Sequence, residues 1–170
     1  AAPQPAEVDL PTRTDLRYTP DDNARAGMSI SVIRPLRVIE RGQAYTVTSL
    51  LSTATAAQLR AASTAYPLWL TDLYLQIPSG VTPRTVQLAR DIVNAAGATT
   101  PYDRAKAIET WLRLNITYNE RIPAPPVGQD PVDWVLFDFH EGYCNYYASS
   151  MIIMLRSLGI PARMAAGFSQ

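Results

Sequence analysis

The 170-residue chain has one cysteine, one histidine and one lysine, and each scarcity removes a class of chemistry. With Cys144 alone there is no internal disulfide, and cysteine usage does not reveal the redox compartment. Cys144 and His140 together are too few for a Cys/His metal set. No calcium-type cluster of carboxylates stands out either, so no metal and no cofactor are expected. Lys106 is the lone candidate for a Schiff-base amine and reads more simply as a solvated helix residue. No run of about 18 apolar residues occurs, so nothing in the sequence is expected to span a membrane. The opening AAPQPAEVDLP lacks a hydrophobic signal core. An excess of one charge is also missing. Fifteen basic residues offset fifteen acidic ones, so neither nucleic acid nor an anionic surface is indicated as a partner.

What is present is globular: 47% of residues are apolar and 18% are charged. Residues 1–27 carry Pro3, Pro5, Pro11 and Pro20 among polar residues and read as a linker or extended arm. Residues 28–65 hold two β-rich runs, MSISVIRPLRVIE and QAYTVTSLL, on either side of Arg41-Gly42. They predict a hairpin or small sheet, with Pro35 marking an edge or a break. Thr55 and Gln58 fit a capping box that opens a short helix to about residue 62. The run YPLWLTDLYLQIP reads as an apolar connector packed on the core.

Residues 66–170 carry the clearer signals. Thr82-Pro83 and Thr100-Pro101 each place a cap residue before proline at the first helical position, and Gly97 stops the first helix. In the second, Ala105, Ile108, Trp111, Leu112 and Asn115 recur on one side, which predicts a core-facing stripe. RIPAPPVGQDP is a stiff loop. Its Pro123-to-Pro126 P-x-x-P match reads first as a stiffener and second as a ligand for proline-binding domains. A helix over 144–158 would bury Ala148, Met151, Ile152, Leu155 and Leu158. Gly159 ends it, Pro161 follows, and ARMAAGF reads as a short strand.

Cys144 falls where this last helix begins. A lone buried cysteine is ordinarily a small apolar residue. At a helix start, unpaired amides and the helix dipole stabilise negative charge, which favours a thiolate and could steady an oxyanion. That suits acyl transfer through a thioester, but a base and an orienting carboxylate are also needed. His140, four residues upstream on a turn, is one candidate base, with a surface or supporting role as its alternative. Asp130, Asp133 and Asp138 read as turn and helix caps. Glu141 adjoins the cysteine, and its charge would oppose a thiolate. Tyr143, Tyr146 and Trp134 are candidate cleft or oxyanion neighbours and Tyr147 a candidate cleft residue, with packing as the alternative, at least as strong for Tyr147.

The run EGYCNYYASSMIIMLRSLGIPARMAAGF resembles the core of the transglutaminase-like superfamily. The likeness rests on Gly142, Cys144, Tyr147-Ala148, Leu155-Arg156, Gly159-Ile160-Pro161-Ala162-Arg163 and Gly167-Phe168. Upstream, residues 66–143 resemble a bacterial subfamily of membrane-associated, extracytoplasmic members, and residues 28–65 do so loosely. The resemblance implies an α+β, papain-like core, truncated after the nucleophile helix and preceded by a small β-rich segment. It makes Cys144 the nucleophile of a Cys-His-Asp triad. Arg163 matches a family position after the proline and reads first as a structural ion-pairing residue and second as a substrate contact. The family's histidine and aspartate follow the glycine-aromatic motif, so both are expected beyond Gln170.

The implied parent is an acyltransferase or peptidase acting on a protein or peptide and anchored at the extracytoplasmic membrane face. These 170 residues would be a soluble, inactive nucleophile-bearing piece of it. The alternative is a non-catalytic peptide- or cell-wall-binding module. A strand at 164–168 without neighbours would also invite a homodimer or swapped form.

Overall fold

A computed structural model of the chain describes residues 4–18 and 28–165. It divides into two compact units, Ala1–Ala54 with Ala165–Gln170, and Thr55–Met164.

The first unit is built of two antiparallel ribbons. Strand β1 (Gln4–Val8) pairs with β4 (Val47–Leu50), and β2 (Thr12–Tyr18) pairs with β3 (Met28–Pro35). This corrects two expectations. Residues 4–8 and 12–18 are strands and not an arm. The runs flanking Arg41-Gly42 do turn there, with Gly42 at φ 89°, but they pair with β2 and β1 and not with each other. The reason is geometric. Every strand of a two-stranded ribbon has a free edge, and a free edge tolerates proline. Pro5 sits at a register shift in β1, and Pro35 ends β3. Arg13 and Arg34 face each other across β2 and β3, and Asp15 forms ion pairs with both at 3.6 and 3.4 Å.

The second unit is helical around one core. The capping box forms as predicted: Thr55 accepts from the Gln58 N–H, and helix α1 runs Ala56–Arg60. The segment read as a connector contains a helix, α2 (Leu68–Tyr74), which buries Tyr74. Helices α3 (Pro83–Ala95) and α4 (Pro101–Asn115) start at the two Thr-Pro pairs. Thr100 caps α4 through its hydroxyl, whereas Thr82 makes no side-chain cap to α3. Gly97, at φ 60°, closes α3 in a Schellman turn, with Ala98 N–H donating to Val93 O at 2.9 Å. After the two-residue strand β5 (Thr117–Tyr118) comes the short helix α5 (Pro131–Trp134), capped by Asp130. It continues as a π-helical turn, Val135–Phe139. Strand β6 (Glu141–Gly142) and helix α6 (Cys144–Ser157) follow. Ala89, Ile108, Leu112, Val135 and Met154 form the centre where α3, α4 and α6 meet.

Helix α6 corrects the predicted stripe. Its buried residues are Ser150, Ile153, Met154 and Leu155. Of the predicted set only Leu155 is fully buried, and the others are half-buried. The helix is apolar on two sides, so periodicity alone does not choose which one enters the core. Beyond it, residues 161–165 form no strand, and Gly167-Phe168 lie outside the described residues. The edge expected at 164–168, and the pairing of copies based on it, therefore has no described strand to rest on.

One buried polar residue ties the second unit together. Asp133 is 4% exposed. It accepts from both Arg84 Nε (2.8 Å) and Thr85 Oγ1 (3.2 Å), and the Thr82 hydroxyl donates to it as well. Arg84 continues to Asp138 at 3.1 Å and lies over the Phe137 ring at 4.4 Å. Thr82 thus spends its hydroxyl on Asp133 and not on its own helix. Burial pushes the Asp133 carboxyl up, but the hydrogen bonds from Arg84 and Thr82 outweigh it and hold it below the usual carboxylate range. A lowered native pKa stabilises above the unfolded carboxylate pKa and loses that stability as pH falls through the native value. Asp133→Asn is therefore expected to cost about 2 kcal/mol at neutral pH, measured by urea unfolding. The gap between variant and wild type should start closing below about pH 4.

Candidate active site

Cys144 is exposed at the first position of α6, and its Sγ lies 3.7 Å from Asn145 Oδ1. As the opening residues of the helix, Cys144 and Asn145 have N–H groups without an intrahelical acceptor. The local sequence explains how the cysteine reaches that place. The π-helical turn ends at His140, which adopts a left-handed φ of 61°, and its N–H donates to Val135 O at 3.0 Å. The chain then runs as β6 parallel to β5, with Thr117 opposite Glu141 and Tyr118 opposite Gly142. Thr117 N–H donates to His140 O (2.8 Å), and Asn119 N–H donates to Gly142 O (2.9 Å). Gly142 leaves room where α6 passes close: a Cβ there would sit 3.0 Å from Tyr146 Cβ.

The far end of α6 is fixed as firmly. Gly159, at φ 76°, closes a second Schellman turn, with Ile160 N–H donating to Leu155 O at 2.9 Å. Arg156 donates to Ala162 O (2.8 Å) and Gln76 O (2.7 Å), and Ala162 N–H donates to Tyr74 O (3.1 Å). Leucine-arginine followed by glycine-isoleucine-proline-alanine is thus a clamp that holds the chain leaving α6 against the end of α2. Arg163 lies over the Tyr74 ring, 5.9 Å from its centre.

An open groove of about 760 Å³ runs beside the cysteine between α4, β5 and α6. Leu112, Ile116, Tyr118, Cys144, Tyr147 and Met151 line it, with Glu109 and Arg113 joined at 3.0 Å on its wall. The residues named from sequence are distributed differently. Trp134 is buried and stacks on Phe139, ring centres 4.4 Å apart, so it is core and not cleft wall. Tyr143 and Tyr146 pack edge-on at 5.0 Å and are not among the groove-lining residues. His140 is exposed, and no hydrogen bond joins it to Cys144. Glu141 is half-buried and accepts from Asn119 Nδ2 at 2.7 Å.

Tyr118, on the groove wall, escaped sequence reasoning; its phenol donates to Glu120 at 3.0 Å. The missed signal was the β5–β6 pairing, which is non-local. Tyr147, also on the wall, donates its hydroxyl to Ile116 O. Burial raises the Tyr147 phenol pKa. Among the described residues, no group of three or more His, Cys, Asp or Glu is placed to hold a metal ion. No helix among them is long and apolar enough to cross a membrane.

Residues 86–170, half of the chain, match the transglutaminase-like superfamily. The chain belongs to that superfamily. Its relatives include the uncharacterized protein YebA of Bacillus subtilis (strain 168), 36% identical over 104 residues. A second is a protein-glutamine gamma-glutamyltransferase of Pseudomonas aeruginosa, 37% identical over 94 residues. These alignments take in 58% and 55% of the chain but only 13% and 14% of the relatives. Among solved structures, the chain is similar to the periplasmic domain of TgpA from Pseudomonas aeruginosa, crystallised with ethylmercury. The TM-score is 0.53 and the identity 27%, over 94% of the chain and 52% of that domain. The fold is thus α+β with a transglutaminase-like core, as the motifs around Cys144 imply.

Gly142→Ala should force Tyr146 and the start of α6 to shift by a few tenths of an ångström. A cost of about 1 kcal/mol is expected, seen as a melting temperature lower by roughly 2–4 °C.

Proposed function

We propose that Cys144 is the nucleophile of an extracytoplasmic cysteine enzyme that acts on amide or ester carbonyls of a protein or peptide through a thioester. The observation that carries this reading is the exposed thiol at the start of α6, opening on a groove within the superfamily-matching region. In the reaction Sγ forms a bond to the acyl carbon, the carbonyl pair moves onto oxygen, and collapse expels the leaving group to give the thioester. An amine or water then takes the acyl group.

Neither His140 nor any described carboxylate is hydrogen-bonded to Cys144. In this reading, as the superfamily resemblance implies, the general base and its orienting carboxylate lie outside these residues, and these residues alone are inactive. Extracytoplasmic placement is supported by the periplasmic neighbour. A protein substrate is supported by the relative named a protein-glutamine gamma-glutamyltransferase. Attachment of the whole protein to a membrane is part of this reading, supported by the subfamily likeness of residues 66–143.

The missing base contact also favours a second reading, a peptide- or cell-wall-binding module without chemistry. The full-length protein decides between them. Incubated with p-nitrophenyl acetate, it should carry an acetyl group on Cys144 by intact and peptide mass. Cys144→Ala should reduce that acylation by about 10⁴-fold or more. Absence of the adduct, with iodoacetamide alkylation no faster than that of glutathione at pH 7, would establish the binding module instead.

A further inference from the structure

We propose that Arg113 is a specificity residue: the groove beside Cys144 takes an extended peptide acyl donor that carries a carboxylate, from Asp or Glu, a few residues from the reacting carbonyl. This names a substrate class for the site described above and rests on the acyl-transfer reading. The spacing of charges on α4 is the starting point. Lys106, Glu109 and Arg113 are three and four residues apart, so they share one side of the helix. Glu109 pairs with both cations, accepting from Lys106 Nζ and, at 3.0 Å, from Arg113 Nε. The hydrogen bond from Lys106, with the charge of both cations behind it, holds the Glu109 carboxyl below the usual carboxylate range. At neutral pH the trio is therefore fully ionised, with one positive charge in excess.

That excess is available at Arg113. Its Nε is given to Glu109, but among the described residues no acceptor meets its terminal nitrogens, and its side chain is 74% exposed. A planar guanidinium with free N–H groups matches a carboxylate in two parallel hydrogen bonds. Arg113 and Cys144 line the same groove, and Leu112, Ile116, Ala148 and Met151 line it with them. Arg113 lies about one helical turn before Ile116, whose carbonyl accepts from Tyr147, and Tyr147 lies about one turn along α6 from Cys144. A few residues of extended chain cover such a stretch, with apolar side chains resting on the groove. The other end of the site has the opposite sign. Glu141 stands three residues before Cys144, and Glu120 is held by Tyr118; each accepts from a neutral donor and pairs with no described cation. An acidic group on the substrate is thus repelled near the sulfur and attracted at Arg113, which fixes the direction in which the peptide lies.

The test uses the full-length protein and p-nitrophenyl esters of short acetylated peptides. A Glu, or its neutral isostere Gln, stands one, two or three residues before the esterified glycine, and p-nitrophenolate release reports acylation of Cys144. At one or more of these positions the wild-type protein should react about tenfold faster with the Glu peptide than with the Gln peptide. Arg113→Gln should bring that ratio to about one. A change in the thiol or in the fold alters both rates alike and leaves the ratio where it was, so a merely structural role for Arg113 is distinguished. A ratio near one at all three positions in the wild type would overturn the proposal, as would an undiminished ratio in Arg113→Gln. Failure of every ester to acylate Cys144 would instead remove the acyl-transfer reading, and the specificity with it.

Discussion

The second unit depends on a carboxylate that water does not reach. Asp133 gathers Thr82, Arg84 and Thr85 from the first turn of α3. Arg84 then reaches on to Asp138 in the π-helical turn. A charge buried this deeply is tolerated only if its lone pairs are filled, and here they are. The same contacts fix where the π-helical turn ends. That sets the left-handed His140, then β6, and then the start of α6. The nucleophile candidate thus inherits its position in part from the Arg84–Asp133 ion pair.

Helix α6 serves two surfaces at once. Ser150, Ile153 and Met154 enter the core, while Cys144, Tyr147, Ala148 and Met151 border the groove. A helix with an apolar residue on nearly every side cannot be oriented from its own periodicity. Its orientation is settled by what holds its ends. Gly142 allows close passage over Tyr146 at one end, and Arg156 ties the exit to Ala162 and Gln76 at the other. Three of the conspicuous residues around the cysteine, Gly142, Arg156 and Gly159, therefore hold the ends of its helix.

In the first unit the proline-rich opening was misread for a physical reason. Proline removes one donor, which disqualifies a central strand but not a free edge, and a two-stranded ribbon has only edge strands. Which run pairs with which is a non-local choice. The turn at Gly42 was legible, yet β3 and β4 find partners ten or more residues earlier in the chain. The α2 helix was missed because Pro67 and Pro78 frame a short apolar run in which strand, helix and connector look alike.

By itself, the sequence determined the features that depend on neighbouring residues. The capping box at Thr55, the Thr-Pro starts of α3 and α4, the glycine stops at Gly97 and Gly159, and the helix beginning at Cys144 are all of this kind. Each follows from backbone dihedrals and unpaired amides within a few positions. The motif spacing around Cys144 carried the superfamily as well. Tertiary structure alone decided which aromatics face the groove. It buried Trp134, turned Tyr143 against Tyr146, and brought Tyr118 beside the cysteine from 26 positions away in the chain. That last contact exists because β5 and β6 hydrogen-bond in parallel, and no local property of either strand predicts such a pairing.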